Sequence, residues 1–176
     1  MFSMKGPLRF ILPLPLLMTL MLVAGCAHSE KPNPANALYQ ISQGDRYYFG
    51  KGVEQDLEEA ARWYNLAALQ GNPDGEFYLG RCYSRGDGVP KDDSKAAFWY
   101  RKSAMEGNPD AQYQLGQSYE LHEGVEQNNV KAYMWLNLSA INGNEKARES
   151  RDAIAERITG AEIATAQRLS SEWSPK

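Results

Sequence analysis

Between residues 38 and 147, the chain contains three successive copies of one 36-residue pattern. Small and aromatic residues recur at this interval without an insertion. The aligned sets are Gly44, Gly80 and Gly116; Tyr47, Tyr83 and Tyr119; Gly52, Gly88 and Gly124; Ala60, Ala96 and Ala132; Trp63, Trp99 and Trp135; and Gly71, Gly107 and Gly143. A fixed period of roughly 20 to 50 residues is typical of proteins built from stacked structural units. The pattern therefore predicts a repeat protein, a class that uses extended surfaces for binding.

Each copy carries start and stop signals for two helices. In the middle copy, Asn72 can cap a helix that continues with proline, and Gly86 allows that helix to end. Asp92 is a good cap for the second helix, and Gly107 supplies the left-handed residue that ends it. Glycine in a helix costs about 1 kcal/mol relative to alanine. We therefore expect Gly80 to lie where the paired helices approach closely.

Two short helices cannot bury their apolar faces alone, so successive pairs must stack on one another. The sequence therefore predicts an all-α fold, an α-solenoid with three helix-turn-helix repeats over residues 37–146. Beyond the last copy, residues 148–158 and 161–173 form two amphipathic stretches. We assign them to a C-terminal helical cap over residues 147–176, which brings the predicted total to eight helices.

Residues 1–25 have the organisation of a bacterial signal peptide. Lys5 and Arg9 precede an apolar run at residues 10–23, and small residues follow that run. Residues 22–26, with the sequence LVAGC, resemble the lipobox of bacterial lipoproteins. The resemblance implies that Cys26 becomes lipid-modified and that the protein is anchored to a membrane. The polar, proline-containing segment 26–36 is then a tether between the lipid and the folded part.

The same resemblance predicts a location in the bacterial cell envelope. Ala27 stands where an aspartate would favour retention in the inner membrane, so the outer membrane is the expected site, with the protein facing the periplasm. Removal of Lys5 and Arg9 with the signal peptide would lower the net charge from −3 to −5. This acidic balance argues against nucleic acid as a partner, because phosphate neutralisation supplies most of that affinity.

The repeat also resembles a known family. Residues 111–116 read AQYQLG, followed by Tyr119, by a Gly-Val pair, and by Lys131-Ala132 with a tryptophan soon after. This phrase resembles the Sel-like (Sel-one-like) repeat, a longer-period relative of the tetratricopeptide repeat. The resemblance covers residues 38–147. It implies a right-handed superhelix with the first helices lining the concave wall, and a role as scaffold or adaptor for a protein or peptide partner.

Residues on the first helices that lie opposite the apolar stripe are the candidates for partner binding. They are Ile41, Asp45 and Tyr48 in the first copy, Phe77, Arg81 and Ser84 in the second, and Tyr113, Gln117 and Glu120 in the third. An aromatic column flanked by charges suits an extended peptide or a partner helix. The alternative is that Phe77 and Tyr113 only pack between neighbouring helices.

Two positions depart from the repeat pattern. Gln43 stands where Leu79 and Leu115 lie in the other copies, which predicts a frayed first copy. His122 replaces the glycine found at positions 50 and 86, so the conformation of the third loop stays open.

The sequence offers little for catalysis. Its two histidines, His28 and His122, fall in the tether and a loop, so a multi-histidine metal site inside the fold is excluded. A zinc-protease motif, a dinucleotide fingerprint and a Ser-x-x-Lys signature are all missing. We expect no enzyme activity, metal or cofactor. The alternatives are a cell-wall or polysaccharide-active enzyme using Asp45 or Glu120 as acid, a beta-lactamase-like enzyme, and a purely structural envelope lipoprotein.

Cys82 is the cysteine that remains if Cys26 carries lipid, so an intramolecular disulfide is excluded. We expect it to be a half-buried small apolar side chain. An intermolecular disulfide is the alternative.

Overall fold

The computed structural model describes residues 36–175, and the regular structure in that range is entirely helical. The helices are α1 (Ala37–Phe49), α2 (Leu57–Leu69), α3 (Pro73–Arg85), α4 (Asp93–Met105), α5 (Pro109–Leu121), α6 (Asn129–Ile141), α7 (Glu145–Ala155) and α8 (Gly160–Glu172). Within these limits the predicted total of eight is confirmed. None of these helices is long and apolar enough to cross a membrane. The predicted signal peptide, Cys26, His28 and the tether up to residue 35 lie outside the described residues.

Side-chain caps begin the helices at the predicted residues. The side-chain oxygen of Asn72 accepts hydrogen bonds from the backbone of Asp74 and Gly75, both at 3.0 Å. Asp92 accepts a 2.9 Å bond from the backbone N–H of Lys95. Asn36, the last residue assigned to the tether, instead caps α1 by accepting from the N–H of Leu38 at 2.8 Å. Each cap satisfies a donor that the first helical turn leaves open.

Consecutive helices from α1 to α7 pack against one another, and α1 also touches α3. The first helices of the first two copies therefore lie side by side. This arrangement of helix pairs is an α-solenoid, as predicted. The interior is filled mainly by alanine, tyrosine and leucine side chains from both helices of each pair.

The helical glycines lie where the two helices of each copy come closest, as predicted for Gly80. At the repeated positions Gly44, Gly80 and Gly116, an added Cβ atom would collide with a large side chain of the partner helix. The added Cβ would lie 2.5 Å from Tyr64 Cε1 at Gly44, 2.7 Å from Tyr100 Cδ1 at Gly80, and 2.7 Å from Leu136 Cγ at Gly116. The absence of a side chain thus outweighs the poor helix propensity of glycine.

Loop glycines join each copy to the one before it. A Cβ on Gly88 would lie 1.9 Å from the carbonyl oxygen of Leu57, and a Cβ on Gly124 would lie 2.0 Å from that of Asp93. Both glycines have left-handed backbone angles, with φ of 72° and 70°. Gly52 has the same φ of 72°, but a Cβ there would meet no atom within 4 Å.

The two departures from the repeat pattern have little effect on the backbone. The prediction of a frayed first copy is wrong: α1 spans 13 residues, as α3 and α5 do. Gln43 is held on it by a 2.9 Å hydrogen bond from Arg46. His122 adopts a left-handed φ of 61°, close to the 65° of Gly50, so the third loop keeps the conformation of the others. Its Nδ1 accepts a 3.2 Å bond from the N–H of Gln127.

The C-terminal cap consists of α7 and α8. Helix α7 begins at Glu145, slightly before the predicted boundary, because Asn144 caps it as Asn72 caps α3. Helix α8 begins with a capping box between Thr159 and Glu162. It packs onto α6, where the ring of Trp173 lies edge-on to Trp135 with centroids 6.1 Å apart.

Candidate functional site

All nine residues proposed as the binding face are half-buried in the structure. Arg81 on α3 lies near the middle of this face. Its guanidinium carbon is 5.0 Å from the ring centroid of Tyr48 on α1 and 4.9 Å from that of Tyr78 on α3. Cation–π contacts at these distances are favourable, and they hold the guanidinium between the two rings. The site therefore depends on two adjacent copies.

Two of the three guanidinium nitrogens of Arg81 are not satisfied within the described part of the chain. Its Nε and Nη2 are buried and have no hydrogen-bond partner. A guanidinium carries five donors, and leaving a buried donor unpaired costs about 1 to 3 kcal/mol. A carboxylate from a partner would form charge-assisted hydrogen bonds with these nitrogens once the covering side chains moved aside.

Asp87 and Asp45 are each engaged by a tyrosine. Tyr48 donates a 2.7 Å hydrogen bond to Oδ2 of Asp87, and Tyr64 donates a 2.8 Å bond to Oδ1 of Asp45. Burial, and then the bond to Asp87, raise the pKa of Tyr48. Burial and the bond to Asp45 raise the pKa of Tyr64 in the same way. Both phenols therefore remain donors at neutral pH.

Besides Tyr48, three of the nine residues make packing contacts with the hydrophobic cores. The ring of Phe77 lies 5.3 Å from that of Tyr78 and 6.1 Å from that of Tyr100, centroid to centroid. Tyr113 packs against the C-terminal core and Ile41 against the N-terminal core. These contacts agree with the alternative of packing between helices, and half-burial leaves part of each side chain on the surface.

The remaining residues of the face differ in their partners. Glu120 forms an ion pair with Arg157, which follows α7, so its carboxylate is neutralised from the C-terminal cap. Ser84 lies beside the hydroxyl of Tyr100, whose pKa burial raises to about 12. The side chain of Gln117 makes no hydrogen bond to any described residue. An acid role for Asp45 or Glu120 would require each to leave its present partner.

A buried carboxylate that the sequence pattern did not lead us to predict lies at Glu76 on α3. The side chain is 3% exposed, and Lys102 Nζ lies 3.0 Å from its Oε1. The Oε2 atom of Glu76 is buried without a partner, and desolvation raises the pKa of the Glu76 carboxyl. A signal was present, because Glu76 precedes Leu79 by three residues and so falls on the apolar stripe. The equivalent positions, Gln40 and Gln112, carry neutral amides.

Cys82 is more buried than expected. The prediction of a half-buried side chain is wrong, since its exposure is 1%. The thiol packs in the N-terminal core with Leu79 and Tyr64. Burial raises its pKa to about 11, so the reactive thiolate is suppressed. An intermolecular disulfide would require this part of the core to open.

The described residues contain no group of three or more His, Cys, Asp or Glu side chains that could hold a metal ion. His122 is exposed in the loop after α5. The carboxylates at the helix starts act as caps, as shown by Asp92, whose pKa is lowered by hydrogen bonds from the backbone and side chain of Lys95.

Comparison with known proteins assigns the family. The chain matches the Sel1 repeat over residues 35–72, 73–108 and 109–144, which together are more than half of its length. The chain therefore belongs to the Sel1 repeat family, and the resemblance seen in the sequence is confirmed. Sel1 repeat proteins mediate interactions between proteins, and their fold is typically a non-enzymatic scaffold.

Two solved structures are similar to this one. A protective antigen present in uropathogenic Escherichia coli strains, which displays an SLR fold, shares 34% identity with a TM-score of 0.73. That similarity covers 78% of this chain but 29% of the antigen. A Sel1 repeat protein from Oxalobacter formigenes shares 39% identity with a TM-score of 0.63, over 68% of this chain and 90% of that protein. No curated protein matches the chain.

Proposed function

We propose that this protein is a non-catalytic scaffold of the bacterial cell envelope that binds a segment of a protein partner on the face formed by α1, α3 and α5. The observation that supports this most directly is Arg81, whose buried guanidinium nitrogens lack acceptors. Interface hot spots are enriched in arginine, tyrosine and tryptophan, and Arg81 lies between two tyrosines. Membership of a family of interaction scaffolds agrees with this proposal.

The partner segment should present a carboxylate to Arg81 and apolar groups beside it. The carboxylate can come from an Asp or Glu side chain or from a chain terminus. The exposed parts of Phe77 and Tyr48 would contact the apolar groups, since aromatic side chains supply large contact areas. Only three copies contribute to this face, so we expect a small interface and a transient complex.

Arg81→Gln tests this surface. The variant keeps a long polar side chain and removes the charge. With a crosslinkable form of the full chain in its native envelope, we expect partner capture to fall about tenfold or more, the loss typical of a hydrogen bond to a charged group. Arg62→Gln is the matched control, because Arg62 is an exposed arginine of α2 paired with Glu58.

The outcomes separate cleanly. Capture that is lost with Arg81→Gln and kept with Arg62→Gln, at equal thermal stability, supports the proposal. Equal capture by both variants contradicts it. Phe77→Ala and Tyr113→Ala test the alternative of packing between helices. That alternative is favoured if these variants lose stability, and the binding face is favoured if they stay folded but lose capture.

The envelope location forms part of the same proposal, and it rests on the lipobox-like sequence at residues 22–26. Cys26→Ser should release the protein from the membrane fraction into the soluble fraction of the cells. If the variant can still be extracted only with detergent, the lipid anchor is refuted while the binding face stays open to its own test.

A further inference from the structure

A second candidate site lies on the second helices, away from the face that contains Arg81. Arg101 on α4 and Lys131 on α6 converge on one phenol ring. Nη2 of Arg101 donates a 3.2 Å hydrogen bond to the hydroxyl of Tyr119, and Nζ of Lys131 lies 5.3 Å from the centroid of the same ring. Both cationic side chains are exposed. Among the described residues, neither forms an ion pair with a carboxylate.

The preceding copy provides an internal comparison. There, Lys95 lies over Tyr83 at the same 5.3 Å, but it is paired with the capping residue Asp92 at 3.2 Å. The residue equivalent to Arg101 is the neutral Asn65. In the third copy the capping residue is Asn128, which is neutral and therefore cannot form an ion pair with Lys131. Two uncompensated cations therefore replace a neutralised one at the same place in the repeat.

An apolar cleft begins at these two cations. It has a volume of about 340 Å³, and its floor is formed by Met105, Met134, Trp135, Leu169 and Trp173. Arg101, Tyr119 and Lys131 line both this cleft and a neighbouring one of about 320 Å³. Volumes of this order are typical of small-ligand sites, which combine apolar walls with a few polar groups.

The charges of the lining residues indicate which kind of ligand the cleft could bind. None of the residues lining the apolar cleft is a carboxylate. In the neighbouring cleft, Glu126 is the acid among the lining residues, and it is not ion-paired to either cation. The net charge at the mouth of the cleft is therefore positive. The floor is apolar, and its two flexible methionines, Met105 and Met134, can adapt to ligands of different shapes.

We infer that this cleft binds an amphiphile with a single anionic head group and an apolar chain. Arg101 and Lys131 hold the head group beside Tyr119, and the chain lies over Met134, Trp135 and Trp173. The carboxylate or phosphate oxygens receive charge-assisted hydrogen bonds, and the chain is removed from water. This site is independent of the partner face proposed above.

Dodecanoate below its micelle-forming concentration is the probe, titrated into the purified chain by calorimetry. Dodecyl maltoside, which has the same chain and a neutral head, is the comparison ligand. We expect saturable binding of one dodecanoate, and much weaker binding of dodecyl maltoside. Shortening the fatty acid should weaken binding by roughly threefold to fourfold per buried methylene.

Two variants give the site around Tyr119 the pattern found around Tyr83. Arg101→Asn introduces the residue found at position 65, and Asn128→Asp introduces the acid that neutralises the lysine while keeping a helix cap. Each should weaken dodecanoate binding roughly tenfold. Lys95→Gln is the matched control, since it removes the equivalent lysine of the second copy and should leave binding unchanged.

Several results would overturn the inference. These are no saturable binding by the unaltered chain, equal affinity for dodecanoate and dodecyl maltoside, or unchanged affinity in both the Arg101→Asn and the Asn128→Asp variants. Vesicles of phosphatidylglycerol distinguish a membrane surface from a monomeric ligand: binding to vesicles without binding to dodecanoate would assign the cations to a bilayer and would refute the cleft. Circular dichroism checks that each variant is folded.

Discussion

The ammonium of Lys102 lies 3.0 Å from one carboxylate oxygen of Glu76, and it is the ion-pair partner of a side chain that is 3% exposed. The first and third copies have Gln40 with Leu66 and Gln112 with Leu138 at these two positions. The second copy therefore pairs a buried carboxylate with a lysine that is 44% exposed, where its neighbours hold an amide and an aliphatic side chain. Breaking a buried pair costs more than replacing both of its members.

Lys102→Leu should lower the free energy of unfolding by about 2 kcal/mol at neutral pH, because it leaves the buried Glu76 carboxylate uncompensated. The double variant Glu76→Gln with Lys102→Leu restores the pattern of the other copies and should be at least as stable as the parent chain. Urea unfolding of the four members of this cycle measures the coupling. If the effects of the two changes on the free energy of unfolding are additive, the cost of Lys102→Leu does not depend on the Glu76 carboxylate, and the prediction is wrong.

Because of the Glu76 carboxyl, we expect the folding stability of the chain to depend on pH. Burial raises the pKa of Glu76 in the folded chain above its ordinary value of 4.5. The folded state then favours the protonated form, so the contribution of Glu76 to stability is complete below pH 4.5 and is lost as the pH rises through the folded-state pKa. Glu76→Gln lacks this loss.

We therefore expect the stability of Glu76→Gln relative to the parent chain to increase as the pH rises above 4.5. Chemical unfolding across a pH series measures this difference directly. The comparison cancels the contribution of groups such as Asp92, whose lowered pKa acts in the opposite direction. A difference that is constant with pH would show that Glu76 does not titrate differently in the folded chain.

The loop glycines allow a matched comparison between copies. Gly124→Ala should destabilise by about 3 kcal/mol, because it adds a backbone clash with Asp93 to an unfavourable left-handed conformation. Gly52 has a φ of 72°, close to the 70° of Gly124, but no atom lies within 4 Å of an added Cβ, so we expect Gly52→Ala to cost about 1 kcal/mol. Thermal unfolding distinguishes them. Equal losses would mean that the contact between copies contributes nothing.

His122→Gly should stabilise the chain by about 1 kcal/mol. The residue has a φ of 61°, which L side chains rarely adopt and which glycine adopts without strain. The gain is partly offset by the larger entropy of glycine in the unfolded chain and by loss of the bond from Gln127. His122→Ala is the control, since alanine keeps the strain. Equal melting temperatures for the two variants would contradict this interpretation.

Helix boundaries and close approaches could be predicted because they follow from local chemistry repeated three times. Asn72, Asp92 and Gly107 are capping or terminating residues in any context, and Gly80 gains meaning from recurring at 36 residues. Even His122 keeps the shared loop backbone, although its side chain does not favour it. Repetition allowed one copy to indicate the conformation of another.

The candidate site was harder to predict because it depends on differences between copies. Arg81 was placed on the binding face, but its position between Tyr48 and Tyr78 depends on contact between α1 and α3. The burial of Glu76 and Cys82 depends on how far α2 and α4 cover α3. Such coverage is a property of the stack, and no single copy contains it.

The position of α8 has a consequence for assembly. Because this helix lies across α6 and inserts Trp173 beside Trp135, the flank of the last pair is already covered. Two molecules could not continue one solenoid through this end unless α8 first detached. A helix of the same chain thus occupies the surface of α6 that a stacked copy would need.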